Sequence, residues 1–406
     1  MDLESKRKLY IDWTLIVTIA LISAFGLVMI YSASFVVGYD KYENISHFFS
    51  RQLQFLLLSA FLFVFFMFFP YRHFRKLSPL IVLGCFVLLI LIMVPKVGVT
   101  VAGATRWINI GGFQLQPSEF VKLGSIVYVA YVYSRKQAYI NKFLTGVMPP
   151  LLVVLIFFLL IMRQPDLGTA TSIVLVAGLI AFCSGARMIH LISLGSLAAW
   201  ALYYYAQSAE YRMNRIIGFR TPFELEAGQG YQLVQSYIAI AHGGLTGAGL
   251  GQSVQKLFYL PEAHTDFILA IVSEELGMIG IAFVFICMTI IIIRGIVIGA
   301  RCNDMFGSLL AFGIVFQLSI QMIFNTGAVN GALPITGIPF PFLSYGGSSI
   351  LVTFVSMGIL ANISRKTERD RQERALDEEA YEDEVAATNA ISNKTPLRPV
   401  RTFGNK

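Results

Sequence analysis

Charge is what this sequence has least of. Asp, Glu, Lys and Arg make up 14% of its 406 residues, against 56% hydrophobic residues. A soluble domain of that size cannot hide so much apolar surface, so a freely soluble enzyme is excluded and lipid must solvate most of the chain. Cysteine is scarce as well. Cys85, Cys183, Cys287 and Cys302 lie in or beside apolar runs, with neither metal-ligand spacing nor the pattern of a disulfide framework. Five scattered histidines argue against a zinc site. The net charge of +7 is no nucleic-acid signature, because the basic residues sit in short loops between apolar runs. Internal repeats of the transporter kind are absent.

What the chain has instead is a series of apolar runs, at Ile11–Tyr31, Leu53–Phe69, Pro79–Val97, Phe120–Tyr133, Val147–Met162, Thr169–Ser184, Met188–Ala206, Phe267–Ile298, Phe306–Phe324 and Ser349–Ile363. They predict an all-α polytopic membrane protein of about ten transmembrane helices. The first run follows Lys6, Arg7 and Lys8 but has no small-residue cleavage site close behind it, so it reads as an uncleaved first span. The eighth run is long and is expected to tilt or project. Arg72, Arg75, Lys76, Arg135, Lys136, Lys142, Arg187, Arg294 and Arg301 fall in loops on the side of the N-terminus, which the positive-inside rule makes cytoplasmic. With an even count of spans both termini are cytoplasmic, and a large extracytoplasmic loop, 207–265, joins spans seven and eight. Residues 1–363 form the membrane domain. The charged segment 364–406 is expected to be a disordered cytoplasmic tail.

The outward segments carry the chemistry. Arg106, Arg163, Arg212, Arg215, Arg220 and Lys256 run against the charge bias, and an anionic ligand would explain them. In Tyr259-Leu-Pro-Glu-Ala-His-Thr-Asp266, Pro261 breaks the chain and Thr265 is expected to cap the next helix, with Asp266 in its first turn. There Asp266 can accept a proton from a hydroxyl or hold a divalent ion, although an ordinary first-turn acid has the same pattern. Glu274 and Glu275 lie roughly 12–14 Å further along that helix and read as structural partners. Lys122, three residues after Glu119, needs a carboxylate, with Glu119, Asp166 and Asp266 as candidates. Asp166 reads as a helix cap. Arg163 has the fork that suits phosphate, and Trp107 fits either an interfacial belt or a sugar platform. In Pro341-Phe-Leu-Ser-Tyr-Gly-Gly-Ser-Ser349, Ser344, Gly346, Gly347 and Ser348 could cradle a pyrophosphate at a helix N-terminus, with close helix packing as the plainer reading. The glycine-rich stretch His242–Gly251 reads as a turn or mobile cover, not a nucleotide site.

Together, Gly103-Ala-Thr-Arg-Trp-Ile, Gln116-Pro-Ser-Glu-Phe-Val-Lys, Gln164-Pro-Asp-Leu-Gly-Thr, Leu260-Pro-Glu-Ala-His-Thr-Asp-Phe and Pro341-Phe-Leu-Ser-Tyr-Gly-Gly-Ser-Ser resemble the SEDS family (shape, elongation, division and sporulation). The likeness runs from Ile11 to Ile363 with the motifs in order. It implies a peptidoglycan glycosyltransferase of the bacterial inner membrane that polymerises lipid II at the outer face and releases undecaprenyl diphosphate. It also implies a class B penicillin-binding protein as crosslinking partner, beside other divisome proteins. The family's essential aspartate falls on Asp266 and its functional tryptophan on Trp107. Trp107, with Arg106, Glu119, Lys122, Arg163, His264, Ser344, Gly346, Gly347 and Ser348, is expected to bind substrate, and Asp266 is the expected ligand of any Mg2+ or Mn2+. The segment Gly251–Leu257 and the charged tail are more similar to the family's division members than to its elongation members. Thr336 stands where some division members carry Lys, so that cationic contact is missing here. A lipid II flippase and a non-catalytic scaffold for a transpeptidase are the alternatives.

Overall fold

The computed structural model describes residues 10–95, 97–101, 104–111, 113–207 and 217–394. The described helices are α1 (Trp13–Tyr42), α2 (His47–Phe68), α3 (Arg72–Leu91), α4 (Pro117–Arg135), α5 (Met148–Met162), α6 (Leu167–Cys183), α7 (Met188–Gln207), α8 (Tyr231–Gly243), α9 (Ile268–Arg301), α10 (Met305–Val329) and α11 (Gly347–Lys394). Each of the ten apolar runs of the sequence falls on a helix, and the chain is an all-α polytopic membrane protein in its spanning parts. Seven helices are long and apolar enough to cross a bilayer: α1, α2, α3, α5 with the π-turn before it, α9, α10, and α11 as far as Glu382. Helix α6 and the apolar part of α7, Met188–Ala198, are shorter. Helix α4 carries Glu119, Lys122 and Arg135 and is not among the seven.

Contacts between distant residues sort the helix ends into two groups. At one end, Asp12 caps α1 by accepting from Leu15 N, and its other oxygen takes Arg294 of α9 at 2.5 Å. Arg75 pairs with Asp304 at 2.7 Å, and Asn362 of α11 both accepts from Tyr71 N and donates to Met67 O. Tyr10 donates to Gln372. Both termini of the described chain therefore meet at this end, the tail end. Burial and the nearby Asp304 carboxylate push the Tyr71 phenol well above its usual range.

The opposite, loop end carries a small antiparallel sheet that the sequence reading treated as plain loop. Strands β1 (Gly98–Val101), β2 (Ala104–Ile110) and β3 (Phe113–Leu115) pair in chain order. The signal was present in Asn-Ile-Gly-Gly-Phe-Gln, a Gly-Gly pair between strand formers, with Gly111 at φ +59°. Helix α8 lies inside the large loop and is fastened to the end of α10 by Ser236 Oγ, which donates to Val329 O at 2.7 Å.

Three expectations need correction or narrowing. The eighth apolar run is long because α9 is broken, not merely tilted. Gly277 sits at φ 62°, ψ −154° and separates a fully protein-embedded first segment, Ile268–Leu276, from the span that follows. The glycine-rich stretch, read as a turn or a mobile cover, is a turn that packs into that break. Ala248 N and Gly249 N donate to Glu274 O and Glu275 O, and Met278 N donates to Gly244 O and Leu245 O. The tail expected to be disordered from Ser364 continues α11 to Lys394. Its Lys, Arg, Glu and Ala content favours helix, and Lys366–Asp370 and Arg369–Glu373 pair at the i,i+4 spacing that supports one.

Candidate active site at the loop end

Asp266 precedes α9 rather than opening it. The helix starts at Ile268 with Phe267 at the cap position, and the expected cap, Thr265, instead donates to Glu262 Oε2 at 2.7 Å. Pro261 and the turn it enforces keep 261–267 out of the helix, so the acid stands on a loop, half-buried. Three fasteners hold that loop. Asn325 of α10 donates through Nδ2 to Asp266 O at 2.8 Å and to Ile338 O at 2.9 Å. Ser344 Oγ donates to Thr265 O at 2.6 Å and accepts from Phe340 N at 2.8 Å. Tyr345 N donates to His264 O at 3.0 Å. The segment before α11 is thereby laced to the segment before α9. Gly337, in that same segment, lies against Asp266, and a Cβ there would stand 3.4 Å from Asp266 Oδ2.

His264 is packed between Phe48 and Tyr345, with ring centroids at 4.6 and 5.6 Å. Burial pulls its pKa below the usual imidazole range; Glu262 opposes that shift and Lys41 adds to it. The Tyr345 phenol is pushed up by burial, partly offset by Arg51. Both groups are neutral near pH 7, with Arg51 and Lys41 beside them.

The cations enter through a second chain of contacts. Arg106 of β2 donates from Nε to Gln164 O at 3.1 Å and from Nη2 to Pro165 O, tying the sheet to the turn between α5 and α6. Asp166 in that turn caps α6 by accepting from Thr169 N, the plainer of its two readings. Gly168 then meets the loop before α11, where a Cβ would stand 2.7 Å from Thr336 O. Arg106, the 164–169 turn, Thr336, Gly337 and Asp266 therefore form one connected rim, with Arg163 exposed beside it and Trp107 half-buried on β2.

Several expected ligands prove to be committed to the protein. Lys122 pairs with Glu119 at 2.8 Å, both side chains buried, so the open choice among three carboxylates falls on its own helix neighbour. This pair lines a small internal cavity with Gln317 and Gln321, below the rim. Lys256 is no ligand for an anion, because it is buried against Glu275 at 2.6 Å and Ser32 at 3.2 Å. Glu274 accepts from Val254 N, Gln255 N, Ser253 Oγ and His242 Nδ1. Both glutamates are thus the internal partners that their depth demanded. Of the pyrophosphate cradle little is left over. Gly346 N donates to Gln52 Oε1, Ser348 Oγ accepts from Gln116 N, and a Cβ at Gly347 would collide with Phe55 at 2.5 Å. Close packing accounts for this segment better than anion binding does. Arg212 and Arg215 lie outside the described residues, and Arg220 is exposed. Among the described residues no three His, Cys, Asp or Glu side chains converge, so Asp266 would meet a Mg2+ or Mn2+ as a single carboxylate.

The residue that sequence reasoning missed is Asn325. Its signal was the spacing Gln317, Gln321, Asn325 on a single face of α10, three buried amides at intervals of four.

A helical bundle whose acid- and arginine-bearing loops gather at one end defines a multi-pass membrane protein. Residues 12–369 match the FTSW_RODA_SPOVE family, described as "Cell cycle protein", and the chain belongs to that family. It is 39% identical over 355 residues to the probable peptidoglycan glycosyltransferase FtsW of Geobacter sulfurreducens, covering 87% of this chain and 95% of the relative. It is 42% identical over 354 residues to the stage V sporulation protein E of Bacillus subtilis, covering 87% and 97%. The FtsW of the same organism is 43% identical over 365 residues, covering 87% and 90%. In fold the chain is similar to the rod shape determining protein RodA of Thermus thermophilus, with a TM-score of 0.65 at 24% identity over 89% of this chain and 99% of that one. A chain from a peptidoglycan synthase complex that coordinates polymerization and crosslinking superposes with a TM-score of 0.72 at 23% identity, covering 89% and 99%.

Proposed function

We propose that the chain is a peptidoglycan glycosyltransferase that polymerises lipid II at the outer face of the bacterial cytoplasmic membrane during septal wall synthesis. The observation that carries this reading is the acid at the rim: Asp266, fastened through its backbone by Asn325 and set beside the arginine-bearing turn. In the reaction Asp266 takes the proton of a sugar 4-hydroxyl on one lipid II. The freed oxygen forms a bond to the anomeric carbon of the second lipid-linked chain, with inversion. The bond from that carbon to the diphosphate oxygen breaks, and undecaprenyl diphosphate leaves with the electron pair. Arg163 and Arg106 stabilise the departing diphosphate, because a guanidinium fork matches phosphate oxygens. Asp266 would act directly or hold a divalent cation that makes the hydroxyl more acidic.

The outer face is assigned to the loop end because Arg72, Arg75, Lys76, Arg294 and Arg301 cluster at the tail end. A class B penicillin-binding protein would crosslink the strand as it grows, alongside other divisome proteins. In a gel assay of strands made from purified lipid II, Asp266→Asn should lose at least about a hundredfold in rate, the scale of a lost general base, with its melting temperature retained. A folded variant that polymerises at the normal rate would sink the assignment and favour a scaffold or a flippase.

A further inference from the structure

A cavity of about 370 Å³ opens at the loop end. Phe219, Gln229, Tyr231, Gln232, Pro261 and Ile335 are among the residues that line it, and none of the described lining residues is charged. Two of these residues belong to the loops that carry the acid. Pro261 lies five positions before Asp266, and Ile335 lies two positions before Gly337, which touches the carboxylate. The opposite wall is built from the large loop and is braced. Gly218 packs directly on Gln229, where a Cβ would meet the Gln229 backbone at 2.9 Å. Leu233 is buried, and Ser236 on the same helix as Tyr231 and Gln232 bonds to the end of α10, one turn beyond Asn325.

The lining chemistry selects its ligand. A volume above about 300 Å³ is the usual lower bound for a small-molecule site. The primary amides of Gln229 and Gln232 each offer both donors and an acceptor, and among the described residues neither makes a hydrogen bond. Phe219 and Tyr231 offer apolar faces. Among its described residues this lining offers aromatic faces and amides and no charge, which does not suit a diphosphate or a metal. It suits a neutral ring with hydroxyl groups on its edge, an apolar face and an amide substituent, which is the description of an N-acetylhexosamine.

We propose that this cavity is a saccharide subsite that holds an N-acetylated sugar of the glycan beside the bond-forming centre. The inference rests on the glycosyltransferase reading for the identity of the glycan, but not for the binding itself. Its role is to position the chain, so its loss should weaken substrate engagement more than the chemical step.

The test uses the full chain purified in detergent, with two readouts. Saturation-transfer NMR with a soluble β-1,4-linked N-acetylglucosamine tetrasaccharide should give signal at the N-acetyl methyls for the native chain and equally for Asp266→Asn. The double variant Gln229→Ala/Gln232→Ala should lose that signal. In the polymerisation assay it should raise KM for lipid II about tenfold, the worth of one or two hydrogen bonds, while kcat stays within about twofold. Gln232→Leu, which keeps the side-chain bulk, should show the same direction of change and guards against a folding defect. An unchanged NMR signal in a double variant that melts like the native chain would overturn the subsite while leaving the polymerase intact. A native chain that binds the tetrasaccharide but makes no strands would sustain the subsite and sink the activity.

Discussion

The acid of this site is only as well placed as the amide beneath it. Asn325 is 1% exposed and directs its Nδ2 at two carbonyls on different loops, one of them that of Asp266 itself. No shorter or differently branched side chain reaches both. In Asn325→Asp a carboxylate would face those two carbonyl oxygens, leaving buried acceptors unpaired at a cost of about 1–3 kcal/mol each. For lipid II polymerisation we expect kcat to fall about tenfold or more while KM moves less than about threefold. Equal changes in both would mean that Asn325 shapes binding, not the placement of the base. At the same scale, Lys256 and Glu275 are legible only in part from sequence. A wrong-side lysine looks like a ligand until the fold supplies a buried acid nineteen residues later. Sequence distance hides such a pair because a loop, not a helix face, brings the two together.

At the scale of elements, α9 is the one whose behaviour the sequence conceals. Its apolar run holds no proline, and Ser273-Glu274-Glu275 do not by themselves end a helix, so the pattern predicts a single rod. The break depends on Gly277 reaching a backbone conformation that residues with a Cβ avoid. In Gly277→Ala the new Cβ would stand 2.5 Å from Gly247 N and 2.6 Å from Leu245 C. Strain and collision together should cost about 3 kcal/mol or more. Thermal unfolding followed by fluorescence should show a drop of several degrees, and a variant melting with the native chain would refute the break. The remaining helices were legible because apolar runs near span length have few other solutions. The strands β1–β3 were not, because each is short and their pattern is weak beside that of a span. The glycines of His242–Gly251 were visible, but their purpose lies in a partner segment that the chain reaches only after folding.

The whole molecule divides into an end that pairs charges and an end that presents loops. At the tail end the pairs Asp12–Arg294, Arg75–Asp304 and Arg72–Asp370 join the N-terminal segment, α3, α9, α10 and α11. Beyond Gln372, α11 projects with its described side chains exposed as far as Asp377. Exposed i,i+4 pairs contribute only a few tenths of a kcal/mol. A chain ending after Glu373 should therefore melt within about 1 °C of the full chain and polymerise lipid II within about twofold of its rate. A collapse of either would show that the projecting helix grips the bundle. The family could be recognised from motif order alone. Which polar groups face a ligand could not, since Lys122, Lys256, Ser344 and Ser348 all have partners inside the fold.

The glycine break in α9 has a mechanical consequence. The acid stands on a plinth about two turns tall, embedded in neighbouring loops and in α1, while the long rod below begins only at Met278. Rods that cross a bilayer lean to match its thickness. Thin and thick membranes should then differ in how far this rod leans, and not in the height at which the carboxylate stands.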